Sequence, residues 1–162
     1  MTVFHCARCG AALTPELRRL AHVPEVSVHG EDRDRGTGLA PSTVRRGSYA
    51  VDPEPWGAPF VVPEAGTAAG GGEGALLMPP GMAGMVSAGP RDSVIVHPRD
   101  VPGLRLTGDL GPHHGAAAPL RTGGRNLACG CGALVATLAA DCVGPYELHL
   151  DPLRVYAAAP GG

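Results

Sequence analysis

The sequence predicts a mainly β protein, a small single domain of short strands over residues 1–162, whose amino- and carboxyl-terminal segments are joined by a pair of cysteine knuckles. Three observations carry this. The apolar runs are short and stop at proline or glycine, no amphipathic pattern of helical period lasts beyond two turns, and cysteine pairs stand near both ends of the chain.

At 162 residues the chain suits one domain, yet it is short of bulky core formers. Hydrophobic residues make up 44%, but 24 of them are Ala. Leu, Ile, Val and Phe number 34, close to the level at which a chain no longer buries enough surface to fold. Gly and Pro number 42, which also approaches low-complexity composition. A cross-link would therefore matter to this fold. The formal net charge is −2 and the pI near 6.4, so the basic surplus that phosphate binding requires is missing and a nucleic-acid partner is not expected. All 13 basic residues are Arg, which points with the Ala, Gly and Pro content to a high-GC genome and not to an activity. No run approaches the roughly 20 apolar residues of a membrane-spanning helix, so no membrane association is expected. Residues 1–6 lack the basic region and apolar core of a secretory signal. The expected setting is cytoplasmic, where cysteines serve as metal ligands or free thiols rather than disulfides.

In chain order, residues 2–5 read as a short strand entering Cys6 and residues 11–13 as one leaving the turn, with Gly10 supplying a positive φ. Thr14-Pro15 could open a helix, but Pro24 keeps it near two turns, so extended structure is expected over residues 17–28. Residues 29–43, with mixed charges and Gly36 and Gly38, read as a flexible loop, as do residues 63–74 with their glycine run. One pattern then recurs. Tyr49-Ala50-Val51-Asp52-Pro53-Glu54-Pro55-Trp56, Val94-Ile95-Val96-His97-Pro98-Arg99-Asp100-Val101 and Leu148-His149-Leu150-Asp151-Pro152-Leu153-Arg154-Val155 share it: apolar, any, apolar, Asp or His, Pro, any, any, apolar. Proline denies the ladder its amide and stops the strand. In two cases the carboxylate before proline can cap the turn that follows, and the last apolar residue folds back over the strand. Internal duplication is the weaker explanation of the recurrence. Further strands are expected around Val61 and over residues 104–107 and 134–139, the last pairing with residues 147–150 as a terminal hairpin.

Cys6-Ala7-Arg8-Cys9-Gly10 and Cys129-Gly130-Cys131-Gly132 supply the four soft ligands of a tetrahedral metal ion. Cys6, Cys9, Cys129 and Cys131 are expected to form one structural site, residues 1–14 and 126–140 together making the knuckle pair. Gly10 and Gly132 match the glycine such turns use, and the C-x-C arm is one residue shorter, hence tighter. Zinc is the expected cofactor, with iron in a rubredoxin-like site as the alternative. A redox dithiol at Cys6 and Cys9 competes, but the βαβ context that usually houses one is missing.

Weaker candidates remain. Cys142 reads as a small buried hydrophobe, with exchange for a ligand or a nucleophilic role near His149 as alternatives. His5 is expected to support the knuckle rather than to bind metal. His113 and His114, between Pro112 and Gly115, are the catalytic candidates: adjacent imidazoles on a glycine-flanked loop suit proton transfer or ligand binding, while an exposed polar loop explains them equally. Met78, Met82 and Met85 suit copper(I) but read first as filling an apolar patch. Arg18-Arg19 and Arg45-Arg46 read as solvated or acid-paired, and Trp56 as a core anchor.

The two cysteine motifs resemble the paired knuckles of zinc-ribbon proteins, over the knuckle residues themselves; the long insert between them departs from a compact ribbon. Through the Cys6 to Gly10 opening, Asn126-Leu127-Ala128-Cys129, Val135-Ala136-Thr137 and Asp141-Cys142, the whole chain also resembles small uncharacterised actinobacterial proteins with a cysteine pair at each end. That resemblance implies a metal site and nothing catalytic. The first expectation is thus a zinc-stabilised cytoplasmic binding or accessory protein acting through a protein partner. An enzyme with a structural zinc, using His113, His114 and His97 with Asp109 or Asp141, comes second. A redox or metal-handling role is third, and nucleic-acid binding last.

Overall fold

The three proline-stopped runs lie side by side at the centre of the molecule, which a computed structural model describes over residues 1–64, 81–82, 84–107, 124–140 and 144–159. The described strands are β1 (Val3–Cys6), β2 (Arg18–Arg19), β3 (Ser48–Asp52), β4 (Phe60–Val61), β5 (Val86–Ser87), β6 (Ser93–Val96), β7 (Arg105–Leu106), β8 (Leu127–Ala128), β9 (Leu134–Ala139), β10 (Glu147–Leu150) and β11 (Val155–Ala158). Among the described residues the helical pieces are single 3-10 turns at Gly30–Asp32 and Pro98–Asp100. The fold is mainly β, as the composition of short, punctuated runs implies.

Seven strands form the main sheet in the order β2-β3-β6-β10-β9-β8-β7. Among the described strands only β2 and β3 pair in parallel. The register across the centre aligns Tyr49, Val96 and Leu148, and next to them Ala50, Ile95 and His149. All four residues of β6 are buried, which is why its apolar run is continuous rather than alternating.

Side-chain alternation splits these strands between two layers. On one face Val94, Val96, Leu148, Leu150 and Tyr49 pack against Phe4, Cys6, Leu17 and Val155, brought by β1 and β11 and the segment after the first knuckle. Phe4 meets Tyr49 edge-on, with ring centroids 5.0 Å apart. On the other face Ile95 and Ala50 pack with Val44, Leu20 and Val23. The strand pair β1–β11, Val3 opposite Ala158 through Cys6 opposite Val155, ties the two ends of the chain together. The expected hairpin of β9 and β10 forms, with Leu148 opposite Leu138. The chain then continues into β11, a partner for β1 that its local sequence did not distinguish.

Each proline stop is built alike. Asp52 Oδ1 accepts from the Glu54 amide at 3.1 Å, His97 Nδ1 from the Arg99 amide at 3.0 Å, and Asp151 Oδ1 from the Leu153 amide at 2.8 Å. His97 thus does with a ring nitrogen what the two carboxylates do. Val101 and Val155 return to the core, while Trp56 lays its ring on His149. The sheet edges β2 and β7 are two residues long, exposed and Arg-bearing, features that discourage pairing with another chain and that give Arg18 and Arg19 a place.

Candidate metal centre

Both cysteine turns share one hydrogen-bond scheme. In the first, the Cys6 amide donates to Ala11 O at 2.9 Å and the Gly10 amide to Cys6 O at 2.8 Å. In the second, the Cys129 amide donates to Ala133 O at 2.9 Å and the Gly132 amide to Cys129 O at 2.8 Å. The missing residue in Cys129-Gly130-Cys131 is absorbed by closing the turn over three residues instead of four. Gly10 and Gly132 have φ of 73° and 84°, the left-handed region where glycine is favoured.

β1 delivers Cys6 and β8 delivers Cys129, so pairing of the chain ends brings the turns together. Cys6 Sγ lies 3.8 Å from Cys131 Sγ, and Cys9 Sγ 3.7 Å from Cys129 Sγ. All four sulfurs fall within 4.8 Å of one another. A disulfide would need about 2.05 Å, whereas sulfurs arranged tetrahedrally about an ion at about 2.3 Å stand about 3.8 Å apart. The cluster therefore has the size of a metal site. Cys6 and Cys129 are buried in the core, Cys131 is half-buried and Cys9 is exposed, so the site lies at the surface with its inner half continuous with the packed interior.

The electrostatics point the same way. The Ala11 amide favours a thiolate at Cys9, but the neighbouring sulfurs, led by Cys131, and desolvation outweigh it and push Cys9 up to about 12. The Ala133 amide, helped by hydrogen bonds from Cys9, Cys6 and Cys129, pulls Cys131 down to about 7. Four sulfurs this close do not all ionise on their own; a cation at their centre removes the conflict. In each knuckle the helping amide is the one two residues beyond the second cysteine.

Neighbours brace the turns. His5 Nδ1 lies 3.0 Å from Gly10 O, and its ring stacks on Tyr156 at 5.3 Å. Arg8 Nη1 donates to Cys131 O at 3.4 Å, linking one knuckle to the other. His5 thus supports the turn, as its position next to Cys6 suggested.

No family model, curated protein or solved structure matches the chain. The site is consequently read from its own geometry.

The other sequence candidates separate. His113, His114, Asp109, Asp141, Cys142 and Met78 lie outside the described residues. His97 caps its own turn and sits edge-on to Tyr146 at 6.5 Å; burial lowers its pKa. Arg46 pairs with the buried Asp100 at 3.2 Å.

One arrangement was missed by the sequence reading. Ser93 Oγ lies 2.8 Å from His149 Nδ1, His149 Nε2 lies 2.9 Å from Glu147 Oε2, and Thr43 Oγ1 donates to Glu147 Oε1. Trp56 stacks on the imidazole with centroids 3.5 Å apart and planes 10° from parallel. The available signal was Glu147-Leu148-His149-Leu150: two polar residues alternating with two leucines must share one strand face, and buried there they require partners.

Proposed function

We propose that Cys6, Cys9, Cys129 and Cys131 hold one structural zinc ion, and that the protein is a cytoplasmic binding or accessory module whose metal secures the fold. The observation that carries this reading is the cluster of four sulfurs within 4.8 Å of one another, with Cys6–Cys131 and Cys9–Cys129 at 3.8 and 3.7 Å, close to the spacing of a tetrahedral site. A catalytic zinc keeps one position for water or substrate, and four thiolates leave none. Zinc suits an all-thiolate tetrahedral set without redox chemistry, iron being the other metal of such sites.

A surface for a partner adjoins the second knuckle. Arg8 and Arg154 rim an open basin of about 610 Å³ together with the exposed Leu134 and Leu153, the latter 80% exposed, while Arg125 at its wall is already paired with Asp151. Its charge suits an acidic segment of a protein partner.

The test is reversible demetallation. Chelation in reducing buffer is expected to lower the midpoint of the thermal transition by more than ~10 °C, and added zinc to restore it at one equivalent per chain. An unchanged midpoint in metal-free protein would defeat the structural assignment. For the surface, a fluorescent oligoglutamate probe is expected to bind the wild type and to lose binding in Arg8→Glu/Arg154→Glu; equal binding by both would remove the basin from consideration.

A further inference from the structure

Ser93, His149 and Glu147 form a hydrogen-bonded line away from the cysteines, and we propose that they make a nucleophilic site for acyl transfer from small esters. In it Ser93 attacks, His149 takes its proton and Glu147 orients the imidazole. This goes beyond the binding reading and requires nothing reactive of the metal.

The sheet sets the line up. Glu147 and His149 are two residues apart on β10 and share its face, and Ser93 lies two positions along β6 from Ile95, the residue opposite His149. An ionised carboxylate only accepts, so the proton between Glu147 and His149 sits on Nε2. Nδ1 is then left as the acceptor for the Ser93 hydroxyl. That tautomer is the one in which an imidazole can take a hydroxyl proton, whichever nitrogen faces the nucleophile. Thr43 fixes the far oxygen of Glu147. Trp56 covers the imidazole face, excludes water there, and its ring favours the cation that forms during transfer.

A pocket adjoins the line. It has a volume of about 260 Å³ and is walled by Ser93, His149, Trp56, Thr137, Arg125 and Asp151. Arg125 Nη1 is held by Asp151 Oδ2 at 2.5 Å, so the charges in the wall offset each other. The volume falls below that of sites for drug-sized ligands, and Ser93 is only 1% exposed. Size and charge together select a short, uncharged acyl ester.

The chemistry balances with water as the second substrate. Ser93 Oγ bonds to the acyl carbon as its proton passes to His149 Nδ1; the bond to the leaving alcohol breaks, and the alcohol departs with that proton. Water repeats the sequence on the Ser93 ester, releasing the acid and restoring the hydroxyl. Arg125 walls the same pocket as Ser93 and keeps N–H donors beyond the one on Asp151, and the proposal assigns it to the oxyanion.

The experiment treats full-length, zinc-loaded protein with p-nitrophenyl acetate and, separately, with a fluorophosphonate, followed by peptide mapping. One phosphonate per chain on Ser93 is expected, with ester hydrolysis that drops to the uncatalysed rate in Ser93→Ala. Glu147→Gln is expected to slow labelling at least ~10²-fold with KM for the ester unchanged, and Glu147→Asp to recover part of the rate; a merely structural Glu147 would leave the labelling rate of the folded variant untouched. Absence of a Ser93 adduct in folded wild type, adducts only elsewhere, or hydrolysis by Ser93→Ala at the wild-type rate overturns the proposal. Labelling of the wild type decides the matter even where a variant does not fold.

Discussion

Glycine at a cysteine turn and glycine beside a backbone do different work here, and substitution separates them. An added Cβ on Gly10 would come no nearer than 3.8 Å to Tyr156 Oη, and on Gly132 it would meet nothing within 4 Å. The cost of Gly10→Ala or Gly132→Ala is therefore the left-handed φ alone, about 1–2 kcal/mol each in urea unfolding. At Gly89 the same Cβ would stand 2.0 Å from Trp56 O, a collision with backbone, so Gly89→Ala is expected to cost more than either. His97 gives a pH effect of definite sign. Burial holds its folded pKa below the ordinary value, and its Nδ1 must stay unprotonated to accept from Arg99. The unfolded chain then binds the proton first, so stability is lost as pH falls below about 6.5 and the loss stops below the folded value. His97→Asn, which keeps a capping side chain without a titrating group, should flatten that acid limb in melts at successive pH values. Residue identity alone made the caps legible at Asp52 and Asp151. It did not do so at His97, because an imidazole caps only where the neutral form is held.

The proline-stopped strands were legible as elements because their signal is local: an apolar alternation, a capping side chain and a missing amide, all within eight residues. Their adjacency as β3, β6 and β10 was not, since pairing joins segments about fifty residues apart and nothing local encodes the choice. The Ser93–His149–Glu147 line stayed hidden for the same reason: Ser93 becomes meaningful only once β6 lies beside β10. The stops are also unequal in energy. Asp52 is half-buried and caps an exposed turn, so Asp52→Ala should cost about 1 kcal/mol. Asp151 is 5% exposed and also holds Arg125, so Asp151→Ala should cost about 2–4 kcal/mol by loss of cap and ion pair together. Paired denaturant curves would show the larger midpoint shift at Asp151.

At the scale of the molecule, the cysteines join residues that stand 120 positions apart, Cys9 and Cys129. The spacing of each pair and its following glycine made the ligand set readable, because metal turns constrain a few adjacent residues. How the turns meet was not readable: it depends on β1 finding β11 and β8 finding β9. Closing a loop of this length restricts the unfolded chain by about 4–5 kcal/mol, a large share of the roughly 5–15 kcal/mol of a typical domain. In a chain with few large apolar side chains, the clasp is expected to decide whether the sheet persists. The most direct measurement is metal content by elemental analysis of reduced, freshly purified wild type and Cys9→Ser, together with their thermal melts. The account predicts one zinc per wild-type chain, and in Cys9→Ser loss of the metal with a Tm lower by more than ~10 °C. A metal-free wild type that melts as cooperatively as the variant would contradict it.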